Sequence, residues 1–182
     1  VADVGAVTWA NGDTGLIGTV SPSNSLIGLT AGDRVGSGGS MRLANGNYVV
    51  CSSNWDNGTA VNAGAATWAS GSTGLTGVVS PTNSLVGSTT NDLVCLGGVT
   101  ALSNGNYAVP SYQWDNGGTP VVGAATSGDG TKGIVGAVGP GNSLIGTSGF
   151  DSSAGLRTTG LVNGNYVVAM EGWDTGPTAE VG

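Results

Sequence analysis

Only two acidic positions recur throughout this chain, and their type and spacing could support acid–base chemistry. The first position is occupied by Asp33, Asp92 and Asp151, and the second by Asp56, Asp115 and Asp174. Successive members of each set are 59 residues apart. Histidine is absent, which excludes imidazole-activated nucleophiles and imidazole metal sites. A glycosidase needs two differently tuned carboxylates at one place, whereas exact repetition presents equivalent carboxylates at three places. We therefore predict that the protein is not an enzyme and that these aspartates are structural carboxylates in turns.

Tryptophan supplies a second candidate chemistry, the stacking of sugar rings. One tryptophan directly precedes an aspartate in each copy: Trp55, Trp114 and Trp173. The favoured interpretation is that each packs at the end of a strand, and a sugar platform is the alternative. Trp9 and Trp68 are interpreted as packing residues, because the third copy has Ser127 at that position.

The two cysteines could remain thiols or form a disulfide. Cys51 and Cys95 stand at different positions of successive copies and neither recurs, which excludes a metal site built once per copy. Two small buried or free thiols are the favoured interpretation, and one disulfide is the alternative. Spacing alone does not decide between them.

Charge and composition restrict the classes of partner. Charged residues make up 8% of the chain, the formal net charge is −7, and only 4 residues are Lys or Arg. So few cations cannot neutralise a phosphate backbone, and nucleic acid is not predicted as a partner. The apolar runs are far shorter than the roughly 20 residues of a membrane-spanning helix, and membrane insertion is not predicted.

A repeat of 59 residues positions all of these side chains. The tetrapeptide Asn-Gly-Asn-Tyr begins at residues 45, 104 and 163, and the Trp-Asp step keeps the same spacing. We divide the chain into repeat 1 (1–59), repeat 2 (60–118) and repeat 3 (119–182), with an arbitrary phase. One glycine marks a single phase four times, at Gly5, Gly64, Gly123 and Gly182. The closing Ala-Glu-Val-Gly also matches the opening Ala-Asp-Val-Gly, and we expect that the chain is cut at an internal phase of the repeat.

Within one repeat, short runs rich in β-branched and aromatic residues predict strands, and no helical period is present. In repeat 2 the predicted strands cover 65–69, 76–80, 85–87, 98–102 and 107–114. The Asn-Gly step between the last two predicts a hairpin, because both residues tolerate positive φ. Four antiparallel strands per repeat is the most economical count.

A four-stranded unit with two apolar faces must stack on copies of itself. Propeller blades stack radially and β-solenoid rungs stack axially. A solenoid would need rungs of roughly 20 residues, and no such sub-period is visible within the repeat. We predict an all-β fold of three four-stranded, β-propeller-type blades, with a β-solenoid as the alternative.

Three short motifs resemble the FG-GAP type of β-propeller repeat found in integrin-like proteins. They are Ala31-Gly-Asp-Arg-Val-Gly36, Asn45-Gly-Asn-Tyr-Val-Val50 and Gly64-Ala-Ala-Thr-Trp68. Similar units occur in arrays within large secreted bacterial haemagglutinin-like proteins. The resemblance covers all three repeats and implies an extracellular or cell-surface location.

The resemblance also raises the question of calcium, which many members of that family bind through an Asp-rich loop. Calcium needs many oxygen ligands, largely carboxylates and carbonyls. Here the matching turns read Asn45-Gly46-Asn47, Asn104-Gly105-Asn106 and Asn163-Gly164-Asn165, without a carboxylate. We therefore predict no cofactor.

Three blades are too few to close a propeller ring. We predict that the half-blade at the end of one chain pairs with the half-blade at the start of another, which gives a ring or a filament. The predicted function is that of a non-enzymatic extracellular structural or adhesive repeat protein that forms a homo-oligomer or polymer. The alternative is a secreted carbohydrate-binding, lectin-like propeller, with glycans as partners.

Overall fold

The structure, a computed structural model, describes residues 1–175, and the phase marker Gly182 with the closing Ala-Glu-Val-Gly lies outside this range. The described residues form 14 short strands and no helix, which confirms the predicted all-β class. They accordingly contain no helix that is long and apolar enough to cross a membrane. The strands are β1 (Ala6–Thr8), β2 (Ser25–Ile27), β3 (Ser40–Arg42), β4 (Tyr48–Ser52), β5 (Ala65–Ala69), β6 (Gly77–Val78), β7 (Leu85–Val86), β8 (Thr100–Ala101), β9 (Tyr107–Ser111), β10 (Ala124–Gly128), β11 (Gly136–Ala137), β12 (Ser143–Ile145), β13 (Leu156–Gly160) and β14 (Tyr166–Met170).

The sheets cross the boundaries between repeats. In one sheet the order is β12-β10-β9-β8, and its four strands are antiparallel neighbours. The turn after β8 contains Gly105 at φ +91°, a conformation that glycine adopts without steric cost. The next strand, β9, belongs to repeat 2 and pairs with β10 of repeat 3 over five residues, from Tyr107↔Gly128 to Ser111↔Ala124. The two middle strands of this sheet, β9 and β10, therefore come from two successive repeats.

A short parallel strand from the following repeat joins two of the sheets. Strand β6 of repeat 2 pairs in parallel with β2 of repeat 1, and β11 of repeat 3 pairs in parallel with β7 of repeat 2. We call β6 and β11 the exchanged strands. The predicted count of four antiparallel strands per repeat is wrong in this respect. Parallel neighbours need a long crossover, and here the chain between two repeats supplies it, a relation that no single repeat reveals.

The predicted strands of repeat 2 all exist, although most are shorter than predicted. Strand β5 covers the predicted 65–69 in full, whereas 107–114 ends at Ser111. Strand β9 ends at Ser111 because the chain turns at this point. The N–H of Trp114 donates to the carbonyl of Ser111 at 3.2 Å.

Two apolar clusters form the core, and the disulfide lies in the larger one. Cys51 on β4 and Cys95 after β7 are bonded, with their Cα atoms 5.3 Å apart. The favoured interpretation of two thiols is therefore wrong, and the alternative of one disulfide is correct. The two positions become neighbours because β4 of repeat 1 and β5 and β7 of repeat 2 share a sheet.

One backbone position has a left-handed conformation in every described copy. Asp3, Asn62 and Val121 stand 59 residues apart and have φ of 54°, 51° and 51°. Asparagine and aspartate tolerate this region, but a β-branched side chain is strained in it. The substitution Val121→Asn is expected to raise the free energy of unfolding by about 1 kcal/mol. Urea denaturation checks this.

The reciprocal change is the matched control for that prediction. The variant Asn62→Val places the strained residue in repeat 2 and is expected to lower stability by a similar amount, about 1 kcal/mol. Equal stability of the wild type and both variants would contradict the assignment of backbone strain to this position.

Candidate functional site

The first recurrent carboxylate is buried and accepts hydrogen bonds from two separate turns. In repeat 2, Asp92 is fully buried. Its Oδ2 accepts the backbone N–H groups of Ser88 and Thr89 at 2.7 and 2.8 Å. Its Oδ1 accepts the backbone N–H of Asp115 at 3.0 Å. Asp92 thus fastens the turn after β7 to the turn after β9.

The second recurrent carboxylate continues the same chain of bonds. Asp115 accepts the N–H of Val121 at 2.7 Å, and Asp56 in repeat 1 accepts the N–H of Asn62 at 2.8 Å. In repeat 1, Oδ1 of Asp33 accepts the N–H of Asp56 at 3.0 Å. These oxygens hold backbone N–H groups, and this arrangement supports a role as turn braces.

The third copy of the first carboxylate has the same donors. Asp151 is fully buried, and burial acts to raise its pKa. The N–H groups of Ser148 and Thr147, together with the Ser148 hydroxyl and the N–H of Asp174, outweigh that effect and hold the pKa of Asp151 below its usual value. The Asp174 N–H contributes a longer bond of 3.3 Å. The charged form of Asp151 is therefore the one that the fold favours.

Two of the three candidate stacking tryptophans have no free face. Trp55 and Trp114 are 5% and 2% exposed, and each packs in one of the two core clusters. Trp173 is 51% exposed. Trp55 and Trp114 therefore expose no ring face on which a sugar could stack, and packing stays the favoured interpretation for both.

The other tryptophans bridge successive repeats. The indole N–H of Trp9 bonds the carbonyl of Gly71 at 2.9 Å, and Trp68 makes the same bond to Gly130 in repeat 3. The sequence indicated packing for both residues but not that each reaches into the following repeat. Repeat 3 has the exposed residue Ser127 at this position and lacks the bridge.

The asparagine turns bind protein backbone. In repeat 1, Oδ1 of Asn47 accepts the N–H of Gly71 at 3.0 Å, and its Nδ2 donates to the carbonyl of Gly130 at 2.9 Å. Nδ2 of Asn45 donates to the same carbonyl at 2.7 Å. Across residues 1–175 there is no group of three or more His, Cys, Asp or Glu side chains placed to hold a metal ion. The amide turns thus join repeats to one another.

A cleft of about 690 Å³ lies where equivalent strand ends of all three repeats meet. Its walls include Leu43, Leu102 and Leu161, which are one repeat position in three copies. Arg42 is the charged residue of the lining. The cleft follows from the stacking of repeats and carries no pair of groups suited to catalysis.

The two ends of the described chain expose residues that are buried elsewhere in the repeat. Leu144 on β12 is 60% exposed, whereas its equivalents Leu26 and Leu85 are 1% and 0% exposed. On β14, Val167 is 52% exposed, whereas its equivalent Val49 is fully buried. Among residues 1–175, β14 pairs with β13 alone, and β1 pairs with β2 alone. These unpaired edges are the strongest candidate functional surface.

Comparison with known proteins identified one family. A family model described as a repeat of unknown function, DUF5650, matches residues 1–37, 42–95, 101–155 and 160–182. Searches of curated proteins and of solved structures gave no match.

Proposed function

Since this chain belongs to the DUF5650 repeat family, whose description assigns no function, we propose from its geometry that it is a non-enzymatic extracellular structural or adhesive module that self-associates head to tail. One observation carries the proposal. Strand pairs that are complete inside the chain, such as β4 with β5 and β9 with β10, are incomplete at both of its described ends.

The missing partners are complementary in sequence and position. Strand β14 is equivalent to β4 and β9, and β1 is equivalent to β5 and β10. The internal register Val49↔Trp68 therefore corresponds to Val167 of one copy opposite Trp9 of a second. Pairing of this kind would form a sheet through ladder hydrogen bonds and bury the apolar edge. Because it joins different surfaces of two copies, it closes into a ring or extends as a filament.

A radial, propeller-type arrangement of the sheets is part of this proposal, with the resemblance to FG-GAP repeats as one support. The antiparallel order β8-β9-β10-β12 is that of a four-stranded blade. Equivalent strands of successive repeats also touch, with the hydroxyls of Thr100 and Thr158 2.7 Å apart. Three such units are too few to close a ring.

The extracellular location is supported by the disulfide. Disulfides persist in oxidising compartments and are rare in the cytosol. The Cys51–Cys95 bond crosses between repeats in the core of the molecule. The low charge of the chain, 8% of its residues, fits a surface of amides and hydroxyls.

A non-enzymatic role is supported by what the recurrent aspartates bind. The side-chain oxygens of Asp33 and Asp92 accept backbone N–H groups from the turns around them. Since these oxygens are buried and occupied, they are poorly placed to exchange protons with a substrate.

Sedimentation velocity over a wide range of protein concentration tests the association. We expect the mass to rise with concentration in multiples of the monomer, and negative-stain images to show closed rings or filaments. A single monomeric species at every concentration would contradict the proposal.

A further inference from the structure

Both exchanged strands are held by the same contacts to the preceding repeat. We call these two contacts between successive repeats the internal joints. In each joint the N–H of a valine just after the exchanged strand donates to the preceding repeat. Val79 donates to Ile27 at 3.1 Å, and Val138 donates to Val86 at 3.0 Å. The two valine side chains are 2% and 4% exposed. Each joint therefore combines a parallel ladder with one buried valine.

Repeat 1 carries the same segment, and among residues 1–175 no strand pairs with it. Residues 16–20 are equivalent to the segments that contain β6 and β11. Val20, the equivalent of Val79 and Val138, is 60% exposed, and Leu16 is 51% exposed. We call residues 16–20 the donor segment.

The donor segment already has the turn that follows each exchanged strand. Nδ2 of Asn24 donates to the carbonyl of Thr19 at 2.9 Å, and Oδ1 of Asn24 accepts the N–H of Ser21 at 2.9 Å. In repeat 2, Asn83 makes the same pair of bonds, to Val78 at 2.8 Å and from Ser80 at 2.9 Å. The backbone that would enter a partner is thus organised before it binds, which lowers the entropic cost of pairing.

The acceptor is the free edge of β12. This strand is equivalent to β2 and β7, each of which receives an exchanged strand. Within residues 1–175, β12 pairs with β10 alone, and its central residue Leu144 is 60% exposed. The acceptor edge and the donor segment lie in repeats 3 and 1, and so a head-to-tail contact brings them together.

We propose that the donor segment of one copy pairs in parallel with β12 of a second copy and buries Val20 there. The internal register, Leu26↔Gly77 and Leu85↔Gly136, places Gly18 opposite Leu144. In that register the N–H of Val20 donates to the carbonyl of Ile145. This inference rests on the proposed head-to-tail association and specifies its polarity and register.

The joint between copies lacks one bridge that both internal joints have. A Cβ on Gly74 or Gly133 would meet the side chain of Trp9 or Trp68, whereas no atom lies within 4 Å of a Cβ on Gly15. Ser127 of the neighbouring copy would face this open space. The contact between copies is therefore weaker than the internal joints, and Ser127→Trp would supply the missing bridge.

Two single variants test the two sides of the joint in sedimentation equilibrium. Val20→Asp places a charge in the donor segment, and Leu144→Asp places one on the acceptor edge. Because burying an unpaired charge is costly, each variant alone is expected to bind itself at least about tenfold more weakly than the wild type. The matched control is Val162→Asp, which lies outside the donor segment and the acceptor edge, at a position whose equivalents Ala44 and Ser103 are also exposed.

A mixture of the two variants gives the sharpest result. Val20→Asp leaves the acceptor edge intact, and Leu144→Asp leaves the donor segment intact. An equimolar mixture is therefore expected to form heterodimers that do not grow further, at concentrations at which each variant alone is monomeric. Recovery of dimers in the mixture also shows that both variants are folded.

The possible failures are distinguishable. If the wild type associates but Val20→Asp associates as tightly as Val162→Asp, the donor-segment pairing is overturned and head-to-tail association stands. If the wild type is monomeric at every concentration, both proposals are overturned. Tighter association of Ser127→Trp than of the wild type supports the register.

Discussion

Replacement of Asp92 by alanine is expected to lower the free energy of unfolding by about 3 kcal/mol, because it removes a buried carboxylate that accepts several hydrogen bonds. The carboxylate is fully buried. It accepts the N–H groups of Ser88, Thr89 and Asp115, and also the hydroxyl of Thr89. Removal of the Asp92 side chain therefore releases the turn after β7 from the turn after β9.

Urea denaturation of Asp92→Ala beside Asp92→Asn and Asp13→Ala measures this effect. The asparagine keeps one acceptor oxygen but turns an NH₂ group toward one of the donors, and an intermediate loss is expected. Asp13 is exposed, and its equivalents are Ser72 and Thr131, so its replacement is expected to leave stability unchanged. If Asp92→Ala is as stable as Asp13→Ala, Asp92 is not a structural brace.

Loss of the disulfide is expected to cost about 4 kcal/mol, because the bond closes a loop across 44 residues of sequence separation. The double variant Cys51→Ala and Cys95→Gly removes it with the least disturbance. Repeat 3 has Ala169 in place of Cys51, and repeat 1 has Gly36 in place of Cys95. Glycine is chosen at residue 95 because Cys95 has φ +70°, a region that glycine adopts without strain, and the equivalent Gly36 has φ +85°.

Urea denaturation with and without a thiol reductant measures the contribution of the disulfide. Since both cysteines are at most 2% exposed, reduction needs unfolding, and the wild type must be refolded in reductant before measurement. The reductant is expected to lower the wild type to the stability of the double variant and to leave the variant unchanged. A double variant as stable as the oxidised wild type would contradict the expected stabilisation.

Strands and turns inside one repeat were predictable from the sequence, because local patterns determine them. Residues 65–69 form a strand as predicted, and the Asn-Gly turn after β8 joins two strands as predicted. The carboxylates were placed in turns on the same grounds, since a short acidic side chain among glycines bonds nearby backbone. Those local rules do not say that Asp92 also accepts the N–H of Asp115, 23 residues away.

Contacts between repeats were not predictable from the sequence. The parallel partner of β6 lies in the preceding repeat, and no pattern within one repeat distinguishes such a strand from an antiparallel neighbour. The Cys51–Cys95 bond and the bridges from Trp9 and Trp68 arise from the same interleaving. Each joins residues that are adjacent only because the sheets combine strands of successive repeats.

The 59-residue period by itself determined that the chain is a tandem array of β units. It also determined which side chains recur once per unit. Such residues have the same structure wherever the sequence and its surroundings are the same. Only the tertiary structure decided how the units interlock, because strand exchange depends on which edge each repeat offers its neighbour. It showed that Val20 and Leu144, ordinary core residues by their repeat positions, are exposed at the two described ends.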